Sequence, residues 1–158
     1  DSASTLTAWE AIIELTGPDG VRRVPIKDFY IKAKVVDIKP GEIQTAILIP
    51  KESYENCYGH YIKYSMRNAL DIATTGCSVN VRLSEDKKTF DRVRVGYGVA
   101  SPIPVRAPSA EAFINGKEIT EENIVEAMCE RYDAPKDVIA SDVADVVERI
   151  RKAGLLHE

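Results

Sequence analysis

Residues 73–83 (Ala-Thr-Thr-Gly-Cys-Ser-Val-Asn-Val-Arg-Leu) and 90–99 (Phe-Asp-Arg-Val-Arg-Val-Gly-Tyr-Gly-Val) decide the fold class. Each alternates with a period of two, as a strand does. Cys77, Val79, Val81 and Leu83 share one face of the first; Val93, Val95 and Tyr97 share one face of the second. The charged segment Ser84-Glu85-Asp86-Lys87-Lys88 between them is a turn. Residues 61–65 alternate well enough to join as a third strand, so a three-stranded antiparallel meander is expected. Gly96-Tyr97-Gly98 is not a dinucleotide fingerprint, because it lies inside a strand rather than at a strand-to-helix turn. A bulge or a close approach of another backbone accounts for it better.

Downstream the pattern turns helical. Residues 109–114 form a short helix ended by Asn115-Gly116, and Thr120 can cap the next, whose Ile124, Val125, Met128 and Cys129 form an apolar stripe. The last helix is expected over 141–152, with Ile139, Val143, Val146, Val147 and Ile150 on one side and Gly154 at its end.

Upstream, residues 7–15 read as a strand, Gly17-Pro18-Asp19-Gly20 as a tight turn, and 21–26 as the returning partner. Lys39-Pro40-Gly41-Glu42 makes another turn and opens a buried strand over 43–49 that Pro50 closes. Tyr54, Tyr58, Tyr61 and Tyr64 are expected to cover the junction between these two β-rich parts. The class is α+β: a β-rich unit over 1–53, then a unit over 54–158 built from the meander and C-terminal helices.

Composition narrows the function. The chain has 158 residues, 44% hydrophobic and 29% charged, which suits one ordinary domain or two small ones and excludes a disordered chain. The net charge of −4 and the scattered Lys and Arg do not suggest nucleic-acid binding. Apolar runs such as Ala46-Ile47-Leu48-Ile49 are too short for a membrane span. Cys57, Cys77 and Cys129 are odd in number and far apart, which fits a reducing cytoplasm better than a disulfide framework. No CxxC or histidine pair accompanies them, and His60 and His157 are the only histidines, so no metal site is expected. Asp1-Ser2-Ala3-Ser4 is an abrupt beginning that suggests processing or a segment of something longer.

Several segments, in order, carry a resemblance. They are Asp1-Ser2-Ala3; residues 6–30 with their Gly-Pro-Asp-Gly turn and Arg23-Val24-Pro25-Ile26-Lys27-Asp28-Phe29-Tyr30; and Pro40-Gly41-Glu42-Ile43 with Ile47-Leu48-Ile49-Pro50. Next come Tyr61-Ile62-Lys63-Tyr64-Ser65-Met66-Arg67-Asn68-Ala69-Leu70-Asp71-Ile72-Ala73 and Gly96-Tyr97-Gly98-Val99-Ala100-Ser101-Pro102-Ile103-Pro104-Val105-Arg106. Together they resemble the C-terminal part of the FAD-binding (medium) subunit of the xanthine dehydrogenase and carbon monoxide dehydrogenase family of molybdenum hydroxylases. The family's usual Ser-x-x-Tyr-Arg helix is not found in the tail. Residues 123–133 and 142–156 instead resemble small winged-helix peptide-binding proteins of pyrroloquinoline quinone biosynthesis.

The resemblance implies a part of an oxidoreductase subunit that passes electrons from iron–sulfur clusters through FAD to NAD or another acceptor. The molybdenum cofactor and the iron–sulfur clusters would sit on partner chains, with no nucleic acid or membrane involved. It places Lys63 near the flavin ring, where a cation could stabilise the reduced ring; otherwise Lys63 is a solvated lysine on an edge strand. It places Arg67, Asp71 and Ile72 in a loop beside the flavin; otherwise Arg67 and Asp71 are an i,i+4 pair on a local helix. Ile43 is an apolar flavin contact or, more simply, strand core, and Asp1 would accept hydrogen bonds from the flavin's polar parts. The family's glycine-rich pyrophosphate loop and the Gly-Gly-Asn before Asp1 have no counterpart in this sequence, so FAD is expected to bind only with that segment added. No catalytic side chain is expected. The alternative is a non-enzymatic protein- or peptide-interaction module that uses the helical tail.

Overall fold

A helix stands where alternation suggested the start of the first strand. In the computed structural model, which describes residues 1–67, 69–129 and 134–152, Ser2–Ala8 forms α1. The hydroxyls of Ser4 and Thr7 fold back onto the carbonyls of Asp1 and Ala3, at 3.2 and 2.8 Å, as short polar side chains do in a helical turn. The helix ends at Trp9, and Glu10 adopts a positive φ of 50° that redirects the chain. Strand β1 therefore begins only at Ile12 and runs to Gly17 (Ile12–Gly17).

The hairpin follows as expected. β2 (Gly20–Pro25) pairs antiparallel with β1 from Gly17↔Gly20 to Ile12↔Pro25, and Gly20 holds a φ of 105° that a side chain would resist. A single turn, α2 (Ile26–Phe29), leads to the small pair β3 (Tyr30–Lys32) and β4 (Val35–Val36). β5 (Ile43–Leu48) then lies on the other side of β1, giving the sheet order β2-β1-β5. Ala11, Ile13, Leu15, Val24, Ile26 and Phe29 form the core beneath it. Strand 43–49 was expected to be buried. As the outer strand of this sheet it is mostly exposed, and Ile43 keeps 67% of its surface in solvent.

After the turn α3 (Lys51–Tyr54), the second sheet consists of β6 (Cys57–Tyr64), β7 (Thr75–Leu83), β8 (Phe90–Gly98) and the two-residue β9 (Val105–Arg106), in that order. The meander is present, with a fourth strand added where residues after the Pro-x-Pro turn return to β8. Tyr54, Tyr58 and Tyr64 are exposed rather than covering a junction. Tyr58 and Tyr64 lie on β6, an edge strand of the sheet, and Tyr54 on the turn before it.

The interior of this sheet is unusual. Ser78 and Asn80 are the fully buried side chains of β7, and they lie on the face opposite Cys77, Val79 and Val81. The reason is α1, which packs across β7 and β8 on the Ser78–Asn80 side. A Cβ on Gly96 would collide with the Ser4 carbonyl, so the glycine permits this contact, whereas at Gly98 the nearest Ser4 atom would be 3.5 Å away. The close-approach reading of Gly96-Tyr97-Gly98 therefore holds.

The helices α4 (Pro108–Ile114), α5 (Glu121–Cys129) and α6 (Lys136–Lys152) complete the chain. Thr120 caps α5 by accepting the Asn123 N–H at 3.1 Å. α6 starts five residues before the expected 141, because the Pro135 carbonyl already receives the N–H groups of Val138 and Ile139. Val125, Ile139 and Val143 form a small core between α5 and α6, joined by Met128 and Val147, while Val146 is half exposed. Asn68, the 130–133 part of the tail, Gly154 as a helix end, Leu155, Leu156 and His157 lie outside the described residues, as does the side chain of Ile150.

The two turns of the first sheet are bolted by ions. Arg22 donates from Nε and Nη2 to both Glu42 carboxylate oxygens, at 2.7 and 2.9 Å, and from Nη1 to Asp37 at 2.7 Å. The guanidinium, followed by the Lys39 N–H, pulls the Glu42 carboxyl from 4.5 down to about 2. In the folded state Glu42 stays ionised at pH values where it would be protonated in the unfolded chain. Its stabilisation is therefore whole above pH 4.5 and drains away as the pH falls toward 2. Glu42→Gln should flatten the melting temperature across that acid window while lowering it at neutral pH. A second variant tests the helix contact: Gly96→Ala should destabilise by about 1–3 kcal/mol in urea unfolding, as overpacking does, and Gly98→Ala by much less.

Candidate functional site

β6 ends by delivering Lys63 to the Gly76 position of β7, beside the start of α1. There the Lys63 ammonium sits 2.8 Å from Asp1 Oδ2 and donates to the Asp71 carbonyl at 2.5 Å. The other oxygen of Asp1 accepts the Ala73 N–H at 3.3 Å. Four of the residues singled out from sequence, Asp1, Lys63, Arg67 and Asp71, are thus brought into one cluster, with Ile72 next to it in the chain.

The described residues between β6 and β7, 65–67 and 69–74, are non-helical, so the Arg67–Asp71 pairing is not a helical i,i+4 contact. The Asp71 carboxylate accepts the Arg67 N–H at 3.1 Å, Arg67 Nη2 donates to the Leu70 carbonyl at 2.9 Å, and the charges themselves stand 3.9 Å apart. The Arg67 side chain is largely in solvent and the charges are 3.9 Å apart, so the ion pair contributes little beyond ordering the turn. Ser65 closes the loop's first half onto the Arg67 carbonyl at 2.9 Å, and Thr74 N–H closes its base on Tyr64 at 2.8 Å. Leu70 is 97% exposed and Ile72 83%, and Met66 is also exposed. Apolar side chains so placed offer a contact surface rather than a core.

Ile43 stands apart from this cluster, on β5 of the other sheet opposite Thr16. Its simpler role as strand core does not hold, because it is exposed. A cleft of about 220 Å³ adjoins Asp1, walled by Ser4, Gly98, Val99, Pro102 and Ile103. Val99 there holds a φ of 67°, costly for a β-branched residue.

A second polar cluster escaped the sequence reading. Arg94 is 7% exposed and bridges Glu10 and the Ser53 hydroxyl, the latter at 2.9 Å. Burial pushes its guanidinium below the usual range, and Glu10 opposes that. Arg106 grips both oxygens of Glu111, at 2.6 and 2.7 Å, and reaches Glu10 at 3.1 Å. Burial raises the Glu111 carboxyl, but Arg106 and the Val95 N–H outweigh it and hold the group below its ordinary value. These charges join segments as distant as Glu10 and Arg106, so no local spacing announces them. They border a cleft of about 370 Å³ lined by Thr7, Ile12, Pro25, Ile26 and Lys27.

Among the described residues no group of His, Cys, Asp and Glu side chains could hold a metal ion. The three cysteines are free, and burial pushes the Cys77 thiol up, away from a reactive thiolate. No described helix is long and apolar enough to cross a membrane. What the Lys63 cluster can offer is one positive charge, held by carboxylate and carbonyl, at the edge of exposed apolar surface.

Residues 60–145 match the CO dehydrogenase flavoprotein C-terminal domain, and residues 1–52 match the FAD binding domain in molybdopterin dehydrogenase. A putative xanthine dehydrogenase FAD-binding subunit of Escherichia coli is 38% identical over 111 residues, covering 70% of this chain and 37% of that protein. The carbon monoxide dehydrogenase medium chain of Afipia carboxidovorans is 29% identical over 159 residues, covering 99% of this chain and 52% of its own length. A solved carbon monoxide dehydrogenase of Hydrogenophaga pseudoflava superposes with a TM-score of 0.70 at 26% identity, over 94% of this chain and 54% of that one. The chain thus spans about half or less of the length of these relatives. It belongs to the family of the FAD-binding subunits of xanthine dehydrogenase and carbon monoxide dehydrogenase, with the flavoprotein C-terminal domain over most of its second part.

Proposed function

We propose that this chain forms the flavin-edge part of the FAD-binding subunit of a cytoplasmic molybdenum hydroxylase. In this reading electrons reach FAD from iron–sulfur clusters on a partner subunit and leave to NAD or another acceptor. A molybdenum-bearing partner would choose the substrate. The observation that carries the reading is the Lys63 cluster: a fixed ammonium beside exposed Ile72, within a segment that follows the family pattern.

The fit to FAD is partial and specific. A ring edge finds a cation and apolar surface here, while Ile43 lies apart on the other sheet. A pyrophosphate needs several backbone N–H groups converging at a glycine-rich loop. Among the described residues the positive-φ glycines are Gly20, Gly41 and Gly116, each in a turn away from Lys63. Bound flavin would supply the redox chemistry. Lys63 would place positive charge where electron density accumulates on reduction, Asp1 and Asp71 would hold that ammonium in place, and Ile72 would keep water from the ring edge.

Titration of FAD into the 158-residue chain should show no tight binding and an unshifted flavin spectrum. Joining the glycine-rich half of a related flavin subunit ahead of Asp1 should give a bound, spectrally perturbed flavin. Lys63→Met in that fusion should lower the flavin's reduction potential. Tight binding by the chain alone, or an unchanged potential in the Lys63 variant, would refute the assignment. Leu70→Ser and Ile72→Ala should leave the unfolding free energy of the chain in urea unchanged within about 0.5 kcal/mol, as exposed positions do.

A further inference from the structure

We infer that Asp1 is the positioning residue of this site: its one carboxylate fixes the Lys63 ammonium and fastens the loop 65–74 to the body of the protein. The sign is a capping bond that is not made. Asp1 occupies the N-cap of α1, where an aspartate ordinarily accepts an N–H from the first turn. Its side chain makes no such bond. Both oxygens are spent elsewhere, on Lys63 Nζ at 2.8 Å and on the Ala73 N–H at 3.3 Å. A local rule broken without local gain marks a residue held for another purpose.

The two partners are the two ends of one loop. Lys63 is the next-to-last residue of β6 and Ala73 lies two residues before β7, so Asp1 binds beside the loop's entry and at its exit at once. Lys63 strengthens the clasp by donating to the Asp71 carbonyl at 2.5 Å. Inside the loop, the hydrogen bonds of Ser65, Arg67 and Asp71 stay within the loop or with Lys63. Met66, Leu70 and Ile72 bury little, and only Ala73, at the exit of the loop, is packed into the core, so packing does not hold the loop's middle down. The anchor itself is rigid, because α1 is set against β8 at Gly96. The Asp1–Lys63 clasp therefore ties the exposed part of the loop to the body of the protein, and Asp1 shares with the Asp71 carbonyl the task of aiming Lys63. Its bearing on flavin rests on the function proposed above; the clasp does not.

Limited trypsin digestion of the complete chain, without flavin, tests the clasp through cleavage after Arg67. Cleavage after Arg23, in the other sheet, serves as the internal reference. Asp1→Asn and Lys63→Met should each speed cleavage after Arg67 by about three- to tenfold, the range for losing a half-exposed charged contact with its hydrogen bonds. The double variant should be no faster than the faster single, because the two residues act as a unit. Lys63→Arg should restore the slow rate. An Asp1→Asn rate within about twofold of the parent chain would overturn the inference, since a contact of this strength would have been lost without effect. So would a double variant whose rate is the product of the singles, or an equal rise at Arg23. Failure of the fusion carrying the glycine-rich half to bind flavin would count against the proposed function and leave the clasp standing.

Discussion

The seating of α1 against β7 and β8 is the contact on which the rest depends. It needs a glycine at position 96, where the helix carbonyl of Ser4 occupies the space of a side chain. It buries small and polar residues, Ser4, Ser78 and Asn80, in place of a large apolar core. Polar groups buried in this way must find partners or they cost free energy. Asn80 donates to the Ser53 carbonyl at 2.8 Å, and Arg94 reaches the Ser53 hydroxyl and Glu10. The second sheet is thus tied to the segments that flank the first, at Glu10 and Ser53, by directional bonds, which specify one arrangement more sharply than an oily seam would. The same seating fixes where Asp1 stands, and through it Lys63.

Much of the fold was legible because its signals are local. The Gly17-Pro18-Asp19-Gly20 turn, the alternation of β7 and β8, and the Thr120 cap depend on neighbours in sequence, and each holds. The start of the 7–15 segment misled because it reads locally as a strand, while the forces that make Ser2–Ala8 helical come from hydroxyls bonding backwards and from a sheet far along the chain. The burial of 43–49 misled because an apolar run does not say whether its strand is central or at the edge. The site shows the same division. The Lys63 to Ala73 segment could be picked out as a motif, and its residues do converge. Asp1 joins it across 72 positions, and Glu10, Arg94, Arg106 and Glu111 meet with no shared motif at all.

The division of labour in the chain follows from these placements. The first sheet carries a conventional apolar core and an ion-locked pair of turns, and so supplies a stiff base. The second sheet carries the Lys63 cluster at one corner and its helices at the opposite end, with α4 against β8 and the α5–α6 pair beyond it. A charge held at the edge of a stiff scaffold is what electrostatic tuning of a bound group requires, since a mobile charge loses its effect to solvent.

Both sheets finish in strands whose outer backbone has no neighbour among the described residues, β5 in one and β6 in the other. Each presents branched or aromatic side chains to water: Ile43 and Ile47 on one, Tyr58, Ile62 and Tyr64 on the other. Unmatched amide and carbonyl rows flanked by such groups are templates for another strand. Handled by itself, this polypeptide carries two adhesive borders, and its colloidal behaviour depends on what is laid along them.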